Sequence, residues 1–216
     1  MNTVRTILLS GVYCFLPLVA FISCVAILSK EYKLWKALLA CLLGMLPVLP
    51  IAMLQTPIDD MLKNLDNKDE LTGVLISAIV LNGLIEECIK ALLLFVLPAS
   101  ITTEKKAKRA FFLYALTAGL AFGCLETFFY LIGGTQGIGL RMVTAVVIHV
   151  FCTGLGGLFV FSVKSREPRI LPLIFAILAH GIYNYFAGFD GSPYFYISFV
   201  AILFSIMECR VRYMRP

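Results

Sequence analysis

Three ionisable side chains stand within five residues of one another in the apolar run "LNGLIEECIKALLLF" at 81–95: Glu86, Glu87 and Lys90. Three more lie in comparable surroundings further on: Glu126, His149 and His180, the last two being the only histidines of the chain. Two adjacent carboxylates beside one ammonium favour one ionised and one protonated acid, the condition that acid–base chemistry needs. Two histidines and a glutamate are also the ligand types of a catalytic zinc site, and the same imidazoles can instead donate to an oxyanion. Asn184, four residues after His180, is a further donor on that helix face, and Arg141 precedes His149 by eight. A buried pair of Glu86 and Lys90 that only fixes packing would leave Glu87 without a purpose. Cys152 lies one turn from His149, but no third group orients the two as a nucleophile and its base.

Whatever holds these groups lies in a membrane. Of the 216 residues, 60% are hydrophobic and 14% charged, against about 45–50% and about 25% in soluble domains. Apolar runs of bilayer length, roughly 17–25 residues, recur at about 5–28, 35–54, 71–98, 110–132, 140–163, 170–188 and 194–209. The expected fold is an all-α bundle of about seven transmembrane helices, and residues 1–216 read as one membrane-embedded domain. The longest polar stretch, 55–70, reads as a loop. The first apolar stretch is too long for a signal peptide and lacks an A-x-A site, so it reads as an anchor. Seven cysteines, none in an outer loop, do not form a disulfide framework.

The net charge of +5 does not point to nucleic acid, because of where the charges fall. Thirteen of the eighteen basic residues sit in the segments 29–36, 99–109, 164–169 and 210–216, which share one side in a seven-span chain. Only Arg5, Lys63, Lys68 and Arg141 fall on the other. The positive-inside rule then places the N-terminus outside and the C-terminus in the cytoplasm.

Within this frame the polar residues converge. A charge at the bilayer centre costs about 2.5–3.5 kcal/mol, so three of them must face protein or water. At 3.6 residues per turn, Lys90 lies about 40° round the helix from Glu86 and about 60° from Glu87, on one face. By helix rise, Glu126, His149 and His180 sit roughly 9–14 Å below the outer surface. Tyr130 and Thr153 follow Glu126 and His149 by four, and the small-residue runs "GLAFG" at 119–123 and "GLGG" at 154–157 permit close helix approach.

Four segments, in order, carry a resemblance: "EECIK" fits E-E-x-x-K, "GLAFGCLETFFY" sets a glutamate between a Gly/Phe-rich turn and a tyrosine, "RMVTAVVIHVFCTG" spaces an arginine, a histidine and a threonine, and "AHGIYN" fits H-x-x-x-N. Together they resemble the PrsW family of intramembrane proteases, related to the CAAX-prenyl endopeptidase and bacteriocin-immunity group and to the APH-1 subunit of gamma-secretase. The likeness spans about residues 72–188. Thr127 stands where many members have asparagine, and "EECIKA" does not fit the E-E-x-x-x-R of the prenyl-endopeptidase branch.

The resemblance implies hydrolysis of a membrane-anchored, single-span protein near its outer face, in a bacterial plasma membrane. An anti-sigma factor is the substrate class of the PrsW case. It also implies Glu86, Glu87, His149 and His180 as catalytic residues, with Lys90, Glu126, Arg141 and Asn184 in support. Zn²⁺ on Glu87, His149 and His180 and a metal-free glutamate mechanism both remain open, as does the oligomeric state. The chain lacks H-E-x-x-H, G-x-S-G and any aspartate within a span, which sets aside site-2, rhomboid and presenilin chemistries. Two rivals stand beside the protease: a proton-coupled transporter, for which the paired repeat of broken helices is missing, and a non-catalytic scaffold of APH-1 type.

Overall fold

The structure, a computed structural model, describes residues 2–65, 70–99, 104–134 and 137–214. Among these it contains helices and turns and no strand. The elements are α1 (Asn2–Leu28), α2 (Leu34–Met45), α3 (Val48–Leu65), α4 (Glu70–Ser77), a π-helix (Ala78–Ile85), α5 (Glu86–Leu94), α6 (Glu104–Ile132), α7 (Ile138–Val143), α8 (Ala145–Lys164), α9 (Leu171–Ala187), a 3₁₀ turn (Pro193–Phe195) and α10 (Tyr196–Met214). Among the described residues, six helical stretches are long and apolar enough to cross a bilayer, and the 17-residue α9 is a shorter apolar helix. This is the all-helical, multi-pass architecture that the apolar runs predict.

Helix α6 is the spine. It packs along α8 and also carries α1 and α2 on its flanks. Its inner face is small, with Ala115, Ala118 and Ala121 buried. Gly119 shows why: a Cβ there would lie 2.5 Å from the carbonyl oxygen of His149 and 2.8 Å from Thr153 Cβ. With no side chain at 119, α8 is drawn onto α6 at the level of His149, by close small-residue packing rather than by a hydrophobic difference between lipid and leucine. On the far side α9 lies against α8, the π-helix and α10. Apolar side chains such as Leu8, Val12, Leu16 and Met53 stay exposed at the periphery, as a lipid-facing surface requires.

Several boundaries depart from the sequence reading. The stretch 55–70, expected as a loop, is helical as far as Leu65, and Gln55 and Pro57 lie inside α3. Residues 66–69, with Lys68, and the side chain of Lys63 lie outside the described residues. The second span is broken at Pro47, which lacks the N–H that a continuous helix would use. The third is interrupted by the π-helix immediately before Glu86. The fifth is broken at Thr144, whose φ and ψ of −120° and −72° leave the helical region. The Thr144 hydroxyl donates to Leu140 O (2.8 Å) and accepts from Tyr183 (3.0 Å), which ties the break to α9.

The described parts of the four basic segments meet at one end of the bundle, as the charge pattern predicts. Lys36 donates to Pro98 O (3.3 Å), Lys106 pairs with Glu31 (3.7 Å), and Lys164 donates to Phe95 O and Leu97 O (2.8 and 2.9 Å). Arg109 lies over the Tyr213 ring at 5.5 Å.

Candidate active site

The π-helix sets the aim of the two glutamates. A π turn adds a residue to the helical circuit, so α5 leaves it with a different rotational phase from the one α4 would have propagated. It is held where it is by close backbone contact: a Cβ at Gly181 of α9 would meet Ile79 Cα at 2.7 Å. One carbonyl of this segment, that of Leu81, accepts from the Gln55 side chain (3.3 Å). Glu86 and Glu87 open α5 directly after it and are both buried, at 3% and 1% exposure.

The groups then close on a single point. Lys90 Nζ donates to Glu87 Oε1 (2.9 Å), lies 3.1 Å from His149 Nδ1 and 3.2 Å from Glu86 Oε2, and sits 3.9 Å over the Phe122 ring. His180 Nδ1–H donates to Glu87 Oε1 (2.8 Å), and His149 Nε2–H donates to Glu126 Oε2 (3.0 Å). The two imidazoles meet edge to face, with centroids 4.8 Å apart. A carboxylate can only accept. In the neutral rings, then, the proton is on Nδ1 of His180 and on Nε2 of His149. The lone pair of His149 is the one directed at Lys90.

Glu126 is less buried, and its Oε2 also accepts from Arg141 Nη2 (2.9 Å). Arg141 in turn stacks over Tyr130 at 3.8 Å. Arg141, expected among the supporting residues, thus reaches the cluster through Glu126. Asn184 does not join the cluster either. Its side-chain amide reaches only the backbone oxygen of His180, at 3.4 Å, and it faces a groove instead. The buried hydroxyl of Thr153, four residues after His149, makes no hydrogen bond. Cys152 is buried with a free thiol.

Gln55 is the residue that sequence reading missed. Its Nε2 donates to Glu86 Oε1 at 3.0 Å, from a helix that was expected to have ended. The signal available was an amide within "IAMLQTP", where apolar residues precede it and only Pro57 suggests a loop. Gln55 also lines a groove of about 420 Å³ between α3, the α4–π segment and α9, together with Thr56, Ser77, Asn82 and Asn184. The groove is open and also has apolar walls, at Val74, Ala78 and Leu81, and Gln55 bridges it to the buried Glu86.

Glu86, Glu87, His149 and His180 each offer one donor atom, and these atoms lie within 4.8 Å of one another. Two observations say that a cation fits. Oε2 of Glu87 is buried and makes no hydrogen bond, and the buried Oε2 of Glu86 has only the Lys90 ammonium, at 3.2 Å; a buried carboxylate oxygen is costly unless a cation faces it. The side chain that faces the set, Lys90, is itself a cation. Oxygen and imidazole donors suit a borderline divalent ion such as Zn²⁺.

A family model described as "PrsW family intramembrane metalloprotease" matches residues 33–207. The comparisons with curated proteins and with solved structures found no match. The matched region contains every polar residue named in the cluster and leaves out all of α1 and the end of α10.

Proposed function

The chain belongs to the PrsW family of intramembrane metalloproteases, and from that premise we propose that it cleaves a single-span, membrane-anchored protein near the outer face of the bilayer, an anti-sigma factor being the substrate class that fits. Family membership makes it a membrane-embedded protease rather than a transporter or a silent scaffold. The observation that supports the finer reading is the hydrogen bond by which Gln55, on the wall of the groove, reaches Glu86 in the set of four buried donor groups.

Glu87, His149 and His180 are the residues that would hold the ion. Zn²⁺ bound there would polarise the scissile carbonyl and acidify a water molecule. The remaining work belongs to the side chains. Glu86 is the general base, because it is the glutamate that Gln55 links to the groove, with Lys90 at 3.2 Å to keep it ionised. Glu87 is fully enclosed between His180 and Lys90, and so serves to hold rather than to exchange protons. Glu126 fixes the ring orientation and tautomer of His149, the usual task of a carboxylate behind a histidine ligand. Arg141 fixes Glu126, and the Tyr130 ring backs Arg141. Amide side chains along the groove (Gln55, Asn82 and Asn184) suit the peptide backbone of an unwound substrate segment, which carries the same donors and acceptors.

The substrate reaches the groove from the end of the bundle away from the basic segments, which the positive-inside rule places outside. Incubating the detergent-purified protein with a panel of single-span substrates tests this, with mass spectrometry of the products. Cleavage in the outer half or at the outer juxtamembrane edge is expected, and is lost in Glu86→Gln and His180→Ala but kept in Cys152→Ala. Cleavage in the cytoplasmic half, or wild-type rates in Glu86→Gln, would overturn the reading.

A further inference from the structure

A second cavity, of about 350 Å³, opens at the basic end of the bundle, between the start of α6, the end of α8, the α8–α9 connection and the end of α10. Five basic residues line it: Lys105, Lys108, Arg109, Arg169 and Arg212. One carboxylate, Glu167, is the only acid among the described lining residues. Glu167 lies 3.2 Å from Arg169, and Glu208 lies 2.8 Å from Arg212. Lys105 and Arg109 bring further positive charge to the lining besides these two pairs. The base of the cavity is apolar, formed by Leu158, Phe161, Pro172 and Tyr213.

The wall that carries Arg169 is fixed rather than loose. The Ser162 hydroxyl accepts from the Arg169 N–H (2.9 Å), and the Ser162 carbonyl accepts from the Glu167 N–H (2.9 Å). Arg166 takes a left-handed turn between them, with φ of 61°. A chain that only needed positive charge at this end for topology would have no reason to curl these arginines round an apolar hollow.

We infer that this cavity is a binding site for an anionic phospholipid. Its phosphate would lie among the five cations, and its glycerol and proximal acyl chain would lie against the apolar base. The shape of the chemistry selects the lipid. A multiply cationic rim favours a phosphate, by charge-assisted hydrogen bonds that arginine makes in pairs. Basic pockets between transmembrane helices are where anionic head groups bind. A free phosphate would use the rim and leave the apolar base unfilled. The occupant would bridge α6, α8, α9 and α10, so it would brace the helices that carry Glu126, His149 and His180 from the end opposite the groove. This inference does not depend on the protease assignment.

The test is native mass spectrometry of the full chain released from detergent with palmitoyl-oleoyl phosphatidylglycerol or phosphatidylcholine. A parallel thermal-unfolding series would use the same lipids and inorganic phosphate. One retained phosphatidylglycerol is expected under activation that strips phosphatidylcholine, with a matching rise in unfolding temperature. In Arg109→Gln/Arg169→Gln the affinity should fall roughly tenfold or more. Lys30→Gln/Lys33→Gln, which removes the same charge at the same end but outside the cavity, should retain the lipid. Equal retention of the two lipids, or an equal loss in both double variants, would overturn the site. Protection by inorganic phosphate as large as that by the lipid would overturn its assignment to a phospholipid.

Discussion

Replacing Lys90 with methionine asks why this cluster carries an ammonium at all. The substitution keeps the length of the side chain and removes its charge. Lys90 Nζ has carboxylate oxygens at 2.9 and 3.2 Å, an imidazole nitrogen at 3.1 Å and an aromatic face at 3.9 Å, and the residue is 3% exposed. At an effective dielectric of 20, unit charges 4 Å apart attract by about 4 kcal/mol, and two such attractions are opposed by the desolvation of all three groups. Removing one member of a buried ionic set typically costs about 3–5 kcal/mol, because the others are left uncompensated. We therefore expect Lys90→Met to lose about 3–5 kcal/mol of stability, read as a lowered midpoint when the protein in mild-detergent micelles is unfolded by added SDS and followed by circular dichroism. Glu86→Gln/Lys90→Met, which removes one of the stranded charges, should recover part of that loss.

The same geometry predicts the response to metal. In the wild type an incoming divalent cation must share the carboxylates with the ammonium; in Lys90→Met it meets them unopposed. Zn²⁺ at a hundred times its dissociation constant adds about 2.7 kcal/mol to the form that binds it. At one fixed Zn²⁺ concentration, the variant should gain more stability than the wild type. A variant as stable as the wild type without metal would refute the reasoning, and so would equal stabilisation of both by Zn²⁺.

Three further outcomes follow from the structure. Glu126→Gln, which weakens the anchor behind His149, should reduce cleavage by about 10–100-fold without abolishing it; Arg141→Gln should do the same more weakly, since the pair it forms is partly exposed, and kcat measurements compare the two. A membrane-permeant chelator should remove proteolysis and Zn²⁺ restore it, whereas full activity in protein shown by elemental analysis to be metal-free would leave the glutamates to act alone. In a cysteine-free background, a cysteine at 106 should label only from the cytoplasm and one at 194 only from outside, and the reverse pattern would invert the topology.

The sequence by itself determined the class of the molecule and the chemical inventory of its site. Both are set by composition along the chain. A bilayer tolerates long apolar helices and penalises each charge inside them, so Glu86, Glu87, Lys90, His149 and His180 could be picked out with no knowledge of what they touch. Helix periodicity placed Lys90 with both glutamates, a relation within one turn that does not depend on the rest of the fold.

The tertiary structure decided everything that depends on contacts between helices. The π-helix turns α5 through a phase that a steady 100° count cannot supply, and it exists where Gly181 lets α9 press against Ile79. Asn184 and Thr153 matched their histidines by spacing, yet neither hydrogen-bonds to an imidazole, because a shared face does not fix where a short side chain points. Gln55 was hidden because a polar composition and Pro57 read as a loop, while the chain stays helical to Leu65 with Gln55 bonded to the π-helix. Glu126 and His149 are 23 residues apart on different helices. Only the close approach at Gly119 brings those helices near enough for carboxylate and imidazole to meet.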